Sequence, residues 1–179
     1  MARISQLEYA LLGLLKQKPQ SGYDLRKSFT TTPMRHFSDS PGSIYPALKR
    51  LQARGLLSSG GGQDRRRRQV FRVTPAGERI FATWLRKPVT RDDVIWRLDE
   101  LLFRFAFQGG NIPRRVTLDF LDQVEFEVAA YVRELRDYAK TSGLANGSST
   151  GALAFANGVE GYQAQLAWVR RARKKFMEK

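Results

Sequence analysis

At 179 residues the chain has room for one sizeable domain or two small ones sharing an interface, and its 42% apolar content is that of a folded protein. It carries 31 Lys and Arg against 17 Asp and Glu, a net of +14, which points to a polyanionic partner: DNA, RNA or an acidic membrane. With no cysteine there is neither a disulfide framework nor a thiolate metal site.

The charge is uneven. Residues 1–87 hold 17 basic and 5 acidic side chains, while residues 88–179 hold 14 and 12, so the first half is the one built for phosphate. No apolar run approaches a membrane span, and Tyr9 to Leu15 is too short and lacks a cleavage site to read as a signal peptide. A cytoplasmic protein with no membrane partner is expected.

Ser5 followed by Glu8 is a capping box that opens a first helix, with Leu7, Ala10, Leu11, Leu14 and Leu15 at helical spacing and Pro19 beyond its end. Ser21 caps a second helix with Asp24 in its first turn, ending near Thr30 to Pro33. A third runs from about Ser43 to Arg54 and stops at Gly55; Pro46 is tolerated in its first turn, where backbone donors lack partners. On this helix Ile44, Leu48 and Leu51 share one face, while Gly42, Pro46, Lys49 and Ala53 lie opposite, flanked by Tyr45 and Arg50. That outer face is small and basic. Leu56–Ser59 and Gln69–Thr74 read as strands joined by the loop Gly60 to Arg68, and Thr74-Pro75 opens a fourth helix that Pro88 stops.

Beyond Lys87 to Arg91, Val94–Phe107 is apolar on most sides and reads as one buried helix ending at Gly109 and Gly110. A long helix after Pro113 then carries a heptad seam of Leu121, Val124, Val128, Tyr131, Leu135 and Tyr138. The small-residue stretch Thr141–Gly151 links it to a last helix with a second seam, Phe155, Val159, Tyr162, Leu166, Val169 and Phe176, in which Arg173 takes one position. The seams require partners. Two-fold pairing would space two reading helices by about one DNA turn, roughly 34 Å. Folding back on one another within the chain is the other solution.

Three helices, a hairpin and a helix, in that order, make the winged helix-turn-helix plan, in which the third helix enters the major groove and the wing touches backbone or minor groove. Basic side chains sit on both reading elements: Lys49 and Arg50 on the helix, and Arg65, Arg66, Arg67 and Arg68 on the wing tip. Other chemistries are weak. Gly60 to Gly62 lacks the Gly-Lys-Ser/Thr ending of a phosphate loop. Asp92, Asp93, Asp99 and Glu100 suit helix capping and ion pairs better than a metal, and the single histidine, His36, builds no catalytic set. No cofactor, metal or catalytic residue is expected. The aromatics Trp84, Trp96, Phe103 and Trp168 suit a core, or a dimer enclosing an apolar ligand.

The chain resembles the PadR family of transcriptional regulators. The likeness lies in Leu11-Leu12-Gly13-Leu14-Leu15, Ser21-Gly22-Tyr23-Asp24-Leu25, Gly42-Ser43-Ile44-Tyr45-Pro46-Ala47-Leu48, Gly55-Leu56 and Val73-Thr74-Pro75-Ala76-Gly77. Leu98-Asp99-Glu100-Leu101-Leu102 and Gly161 to Trp168 resemble the family's longer, virulence-activator-like C-terminal region. Four consecutive arginines after the glycines make the wing tip more basic than the family pattern. The resemblance implies a homodimer that represses transcription from a palindromic operator and is released by a small apolar or aromatic effector, as phenolic acids or drugs do for some members.

The reading is thus a mainly α protein, with a winged helix-turn-helix DNA-binding domain over residues 1–87 and a helical dimerisation and effector domain over residues 88–179. Ser43, Tyr45, Pro46, Lys49 and Arg50 are expected at bases or phosphates of double-stranded DNA, Tyr23 and Lys27 at the backbone, and Arg65 to Arg68 at the flanking groove. Leu121, Val124, Val128, Tyr131, Leu135, Val159, Tyr162, Leu166 and Val169 are expected at the dimer seam. The rival reading is a winged-helix module that binds RNA or a protein partner, since the fold hosts more than one function.

Overall fold

The structure is a computed structural model that describes residues 4–31, 41–61 and 69–178. It is mainly helical with one small antiparallel sheet, and it divides into two compact units, Met1–Trp84 and Leu85–Lys179. Each is built around its own buried apolar residues.

In the first unit, α1 (Gln6–Gln17) begins at the anticipated capping box: the Ser5 hydroxyl accepts from the Glu8 amide, and the Glu8 carboxylate accepts from the Ser5 amide. Its stripe of Ala10, Leu11, Leu12 and Leu15 is buried. A two-residue strand, β1 (Gln20–Ser21), leads directly into α2 (Gly22–Thr31), where Ser21 and Asp24 exchange cap bonds. A 3-10 turn at Pro41–Ser43 then feeds α3 (Ile44–Ala53), whose inner face of Ile44, Ala47, Leu48 and Leu51 is fully buried. Ser43 occupies the cap position of α3 without making the side-chain cap bond, because the preceding turn already holds its backbone in the αR region. Gly55, at φ 68°, ends the segment as expected for a left-handed terminator.

The wing strands are β2 (Leu57–Gly61) and β3 (Gln69–Val73), in register with Ser59 opposite Phe71. β1 pairs on the other side of β3, with Gln20 opposite Phe71, so the sheet order is β1-β3-β2. The sequence reading missed this third strand: two residues are too few to show alternation, and only the pairing reveals them. In α4 (Pro75–Leu85) Thr74 supplies the cap, accepting from the Gly77 amide at 3.1 Å and donating to the Gly55 carbonyl at 2.7 Å. Trp84 stacks on Tyr9, with ring centroids 4.4 Å apart.

The second unit corrects the single helix expected over residues 94–107, which is two helices, α5 (Arg91–Trp96) and α6 (Leu98–Ala106). They break at Arg97, at φ −144° and ψ 35°. α5 opens on a capping box in which Thr90 and Asp93 bond reciprocally, and the buried Asp93 carboxylate also accepts from Arg97 Nε and Nη2 at 3.1 and 2.8 Å, tying the residue at the break back to the first turn. Burial alone would raise the Asp93 pKa, but the Thr90 hydrogen bonds and Arg97 outweigh it and hold the group below the ordinary aspartate range.

α7 (Arg114–Thr141) and α8 (Thr150–Met177) pack antiparallel on one another, with α8 capped by Ser149. Leu121, Val124, Val128 and Val169 lie in one buried cluster with Tyr131, Tyr162 and Leu166 against it. Tyr131 meets Tyr162 edge to face at 4.8 Å. Arg170 pairs with Glu125 at 2.8 Å, and Arg173, the charged seam position, pairs with Asp122. Of the seam positions, Leu121, Val124, Val128, Tyr131, Tyr162, Leu166 and Val169 thus pack together within the chain. No described helix is long and apolar enough to cross a membrane.

Candidate nucleic-acid interface

The first unit turns a polar, aromatic and basic surface outward from α3. Tyr45 is 46% exposed, and Pro46, Lys49 and Arg50 are exposed beside it, while Ser43 is half-buried. On α2, Tyr23 and Lys27 are also exposed. Arg26, which the sequence reading passed over, belongs with them: its guanidinium lies 5.7 Å from the Tyr23 ring centroid, a cation–π spacing. A basic residue three positions after an exposed tyrosine was the available signal.

Two close contacts shape the outer face of α3. A Cβ on Gly22 would stand 2.6 Å from Tyr45 Cε1, so the start of α2 is a seat for the Tyr45 ring that only glycine provides. Arg50 Nε donates to Glu8 Oε1 at 2.8 Å. Burial by itself raises the Glu8 pKa; the Ser5 amide bond, with the Arg50 hydrogen bond and charge, more than offsets it, so the carboxyl titrates below the usual glutamate range. Glu8 was read from the sequence only as a cap.

The wing is tied to α3 at its base. Ser59 Oγ on β2 accepts from Gln52 Nε2 at 2.9 Å and from Gln69 Nε2 at 2.7 Å, so the hairpin and α3 share a hydroxyl. Arg65, Arg66, Arg67 and Arg68 lie outside the described residues, as does His36.

The four aromatics considered for an effector fall in different surroundings. Trp84 belongs to the first unit, Trp96 is 78% exposed, and Phe103 is buried edge to face on Phe107. Trp168 lines a cavity of about 10 Å³, the space of a single water, together with Leu98, Leu101, Phe105, Phe120 and Val124. Among the described residues no cluster of three or more His, Asp or Glu side chains stands ready for a metal.

An exposed helix with a small, basic outer face, two preceding helices and a two-stranded wing define a winged helix-turn-helix protein. Residues 11–83 match the model of the transcriptional regulator PadR-like family, so the first unit carries a PadR-like domain. The chain is 30% identical over 81 residues to the negative transcriptional regulator PadR of Bacillus subtilis, a match covering 44% of each protein. It is 56% identical over 39 residues to a transcriptional regulator of Mycobacterium tuberculosis, covering 21% of this chain and 36% of that one. The chain thus spans less than half the length of these curated relatives. Among solved structures, Bacillus subtilis PadR in complex with p-coumaric acid is 21% identical at a TM-score of 0.42, covering 100% of this chain and 99% of that one. The same protein with operator DNA is 21% identical at 0.41, covering 95% and 98%. These superpositions are loose, and the family assignment rests on residues 11–83.

Proposed function

We propose that the protein is a DNA-binding transcriptional regulator, a homodimeric repressor of the cytoplasm in which α3 reads the major groove of a palindromic operator. The observation that carries this is the outer face of α3, where Tyr45, Pro46, Lys49 and Arg50 stand exposed around a fully buried inner face. Tyr23, Arg26 and Lys27 on α2 extend the surface toward the phosphate backbone, and the arginines of the wing tip add charge to the flanking groove. The negative regulator among the relatives supports repression over activation.

The homodimer needs apolar surface outside the filled α7–α8 seam, and Phe126 and Leu153 are exposed on those helices. Release by a small apolar or aromatic effector taken up at the cavity that Phe105 and Trp168 line calls for that cavity to widen, because it has the space of about one water.

Tyr45→Ala and Lys49→Ala test the central step. Each is expected to weaken binding to a preferred duplex by about 1 to 3 kcal/mol while changing random-duplex binding less. Parent-like preference in both folded variants would place the wrong helix in the groove, and preference for RNA over duplex DNA would favour the rival module.

A further inference from the structure

Glu8 is 2% exposed and lies on α1, a helix with no exposed part in the proposed interface. Its two oxygens are divided: Oε2 accepts from the Ser5 amide at 2.8 Å, and Oε1 accepts from Arg50 Nε at the same distance. Arg50 sits in the last turn of α3 with its side chain 55% exposed. A guanidinium is planar and rigid, so holding Nε fixes the plane and leaves the terminal nitrogens for a second acceptor. Glu8 is the only described acidic partner of Arg50.

We propose that Glu8 is a positioning residue for DNA binding: buried on α1, it holds Arg50 by Nε, so that the terminal nitrogens are aimed at an acceptor on the duplex. The inference rests on the proposed function. Its consequence runs against simple electrostatics. Glu8→Gln removes a negative charge close to the interface, and by charge alone it strengthens binding to a polyanion. Loss of positioning weakens it. The two effects have opposite signs, so the direction of the change identifies the role.

Glu8→Gln also separates the cap from the pair. Glutamine serves at this position of a capping box, but it has one acceptor oxygen for two donors, so the Ser5 bond can persist while Arg50 is let go. The experiment is a double-mutant cycle of Glu8→Gln and Arg50→Gln in the full chain, read by anisotropy on a duplex carrying a footprinted site and on random duplex. Melting curves establish that each variant is folded. Glu8→Gln is expected to weaken site binding about ten-fold and to have almost no effect when Arg50 is already glutamine. Arg50→Lys, with Glu8 intact, is expected to lose a similar factor, because one ammonium cannot be held and still offer a fork.

Tighter or unchanged binding by Glu8→Gln overturns the inference, as does an undiminished effect in the Arg50→Gln background. If Glu8→Gln does not fold, parent-like binding by Arg50→Lys overturns it. A parent protein that binds no duplex overturns this inference and the DNA-binding reading together.

Discussion

Replacing Gly22 by alanine should separate DNA recognition from stability. The new Cβ would lie 2.6 Å from Tyr45 Cε1 and 3.2 Å from Cζ, well inside the 3.5 to 4.0 Å optimum for carbon pairs, so something must yield by about an ångström. The ring can do so. Tyr45 is nearly half exposed, and its ring is the far end of a side chain with two free torsions. Gly22 is not among the described positive-φ glycines, so alanine is compatible with the backbone and contributes about 0.4 to 1 kcal/mol through the unfolded chain. Poorer packing of the displaced ring offsets this, leaving stability within about 1 kcal/mol of the parent. Recognition should suffer more, because Tyr45 leaves its seat: about 1 to 2 kcal/mol, or roughly 5- to 30-fold weaker site binding. Thermal unfolding by circular dichroism reads the first quantity, and anisotropy on site and random duplexes reads the second. A stability loss above about 2 kcal/mol would refute the claim that the ring yields freely. Parent-like site preference, with Tyr45 shown by its ring resonances to have moved, would refute its place in the interface.

The wing, the second unit and its buried acid each give a further expectation. Arg66→Ala with Arg67→Ala should weaken site and random binding alike and reduce the slope of log K against log salt by about 0.9 for each phosphate no longer neutralised; an unchanged slope would remove the wing tip from the interface. Val128→Ala, at a fully buried position between α7 and α8, should cost about 2 kcal/mol, seen as a lower urea midpoint at constant m-value. Asp93 has a folded-state pKa below its unfolded value, so its contribution is present above about pH 3.9 and is lost as pH falls through the lower folded value. The stability gap between the parent and Asp93→Asn should therefore be constant near neutrality and close in acid, and a gap that widens in acid would contradict the assigned shift.

Much of the first unit is legible in the chain because its signals are local. Ser5 and Glu8 lie one turn apart, the faces of α3 follow from its period, and Gly55 and Thr74-Pro75 mark boundaries through backbone chemistry. What escapes is set by distant pairing. β1 exists because Gln20 and Ser21 find Phe71 and Val70, and the Glu8–Arg50 pair joins residues 42 positions apart. In the second unit, a heptad records that a stripe must be covered but not by which helix. The complementary charges that couple α7 to α8, Glu125 with Arg170 and Asp122 with Arg173, lie on those helices, and their match becomes visible only once the two are set antiparallel. The break at Arg97 was hidden for a different reason. The run from Val94 to Phe107 holds neither glycine nor proline, and the Thr90–Asp93 capping pattern marks where α5 starts and not where it stops.

The central claim, that the winged unit makes this protein a sequence-specific binder of duplex DNA, is tested most directly by footprinting the full chain on the DNA upstream of its own coding region, with a salt titration. The account predicts protection of a short site with two-fold related halves about one helical turn apart, and an affinity that falls steeply as salt rises. Protection that is absent or spread evenly over the fragment, while the protein is folded and binds RNA or another protein instead, would contradict it.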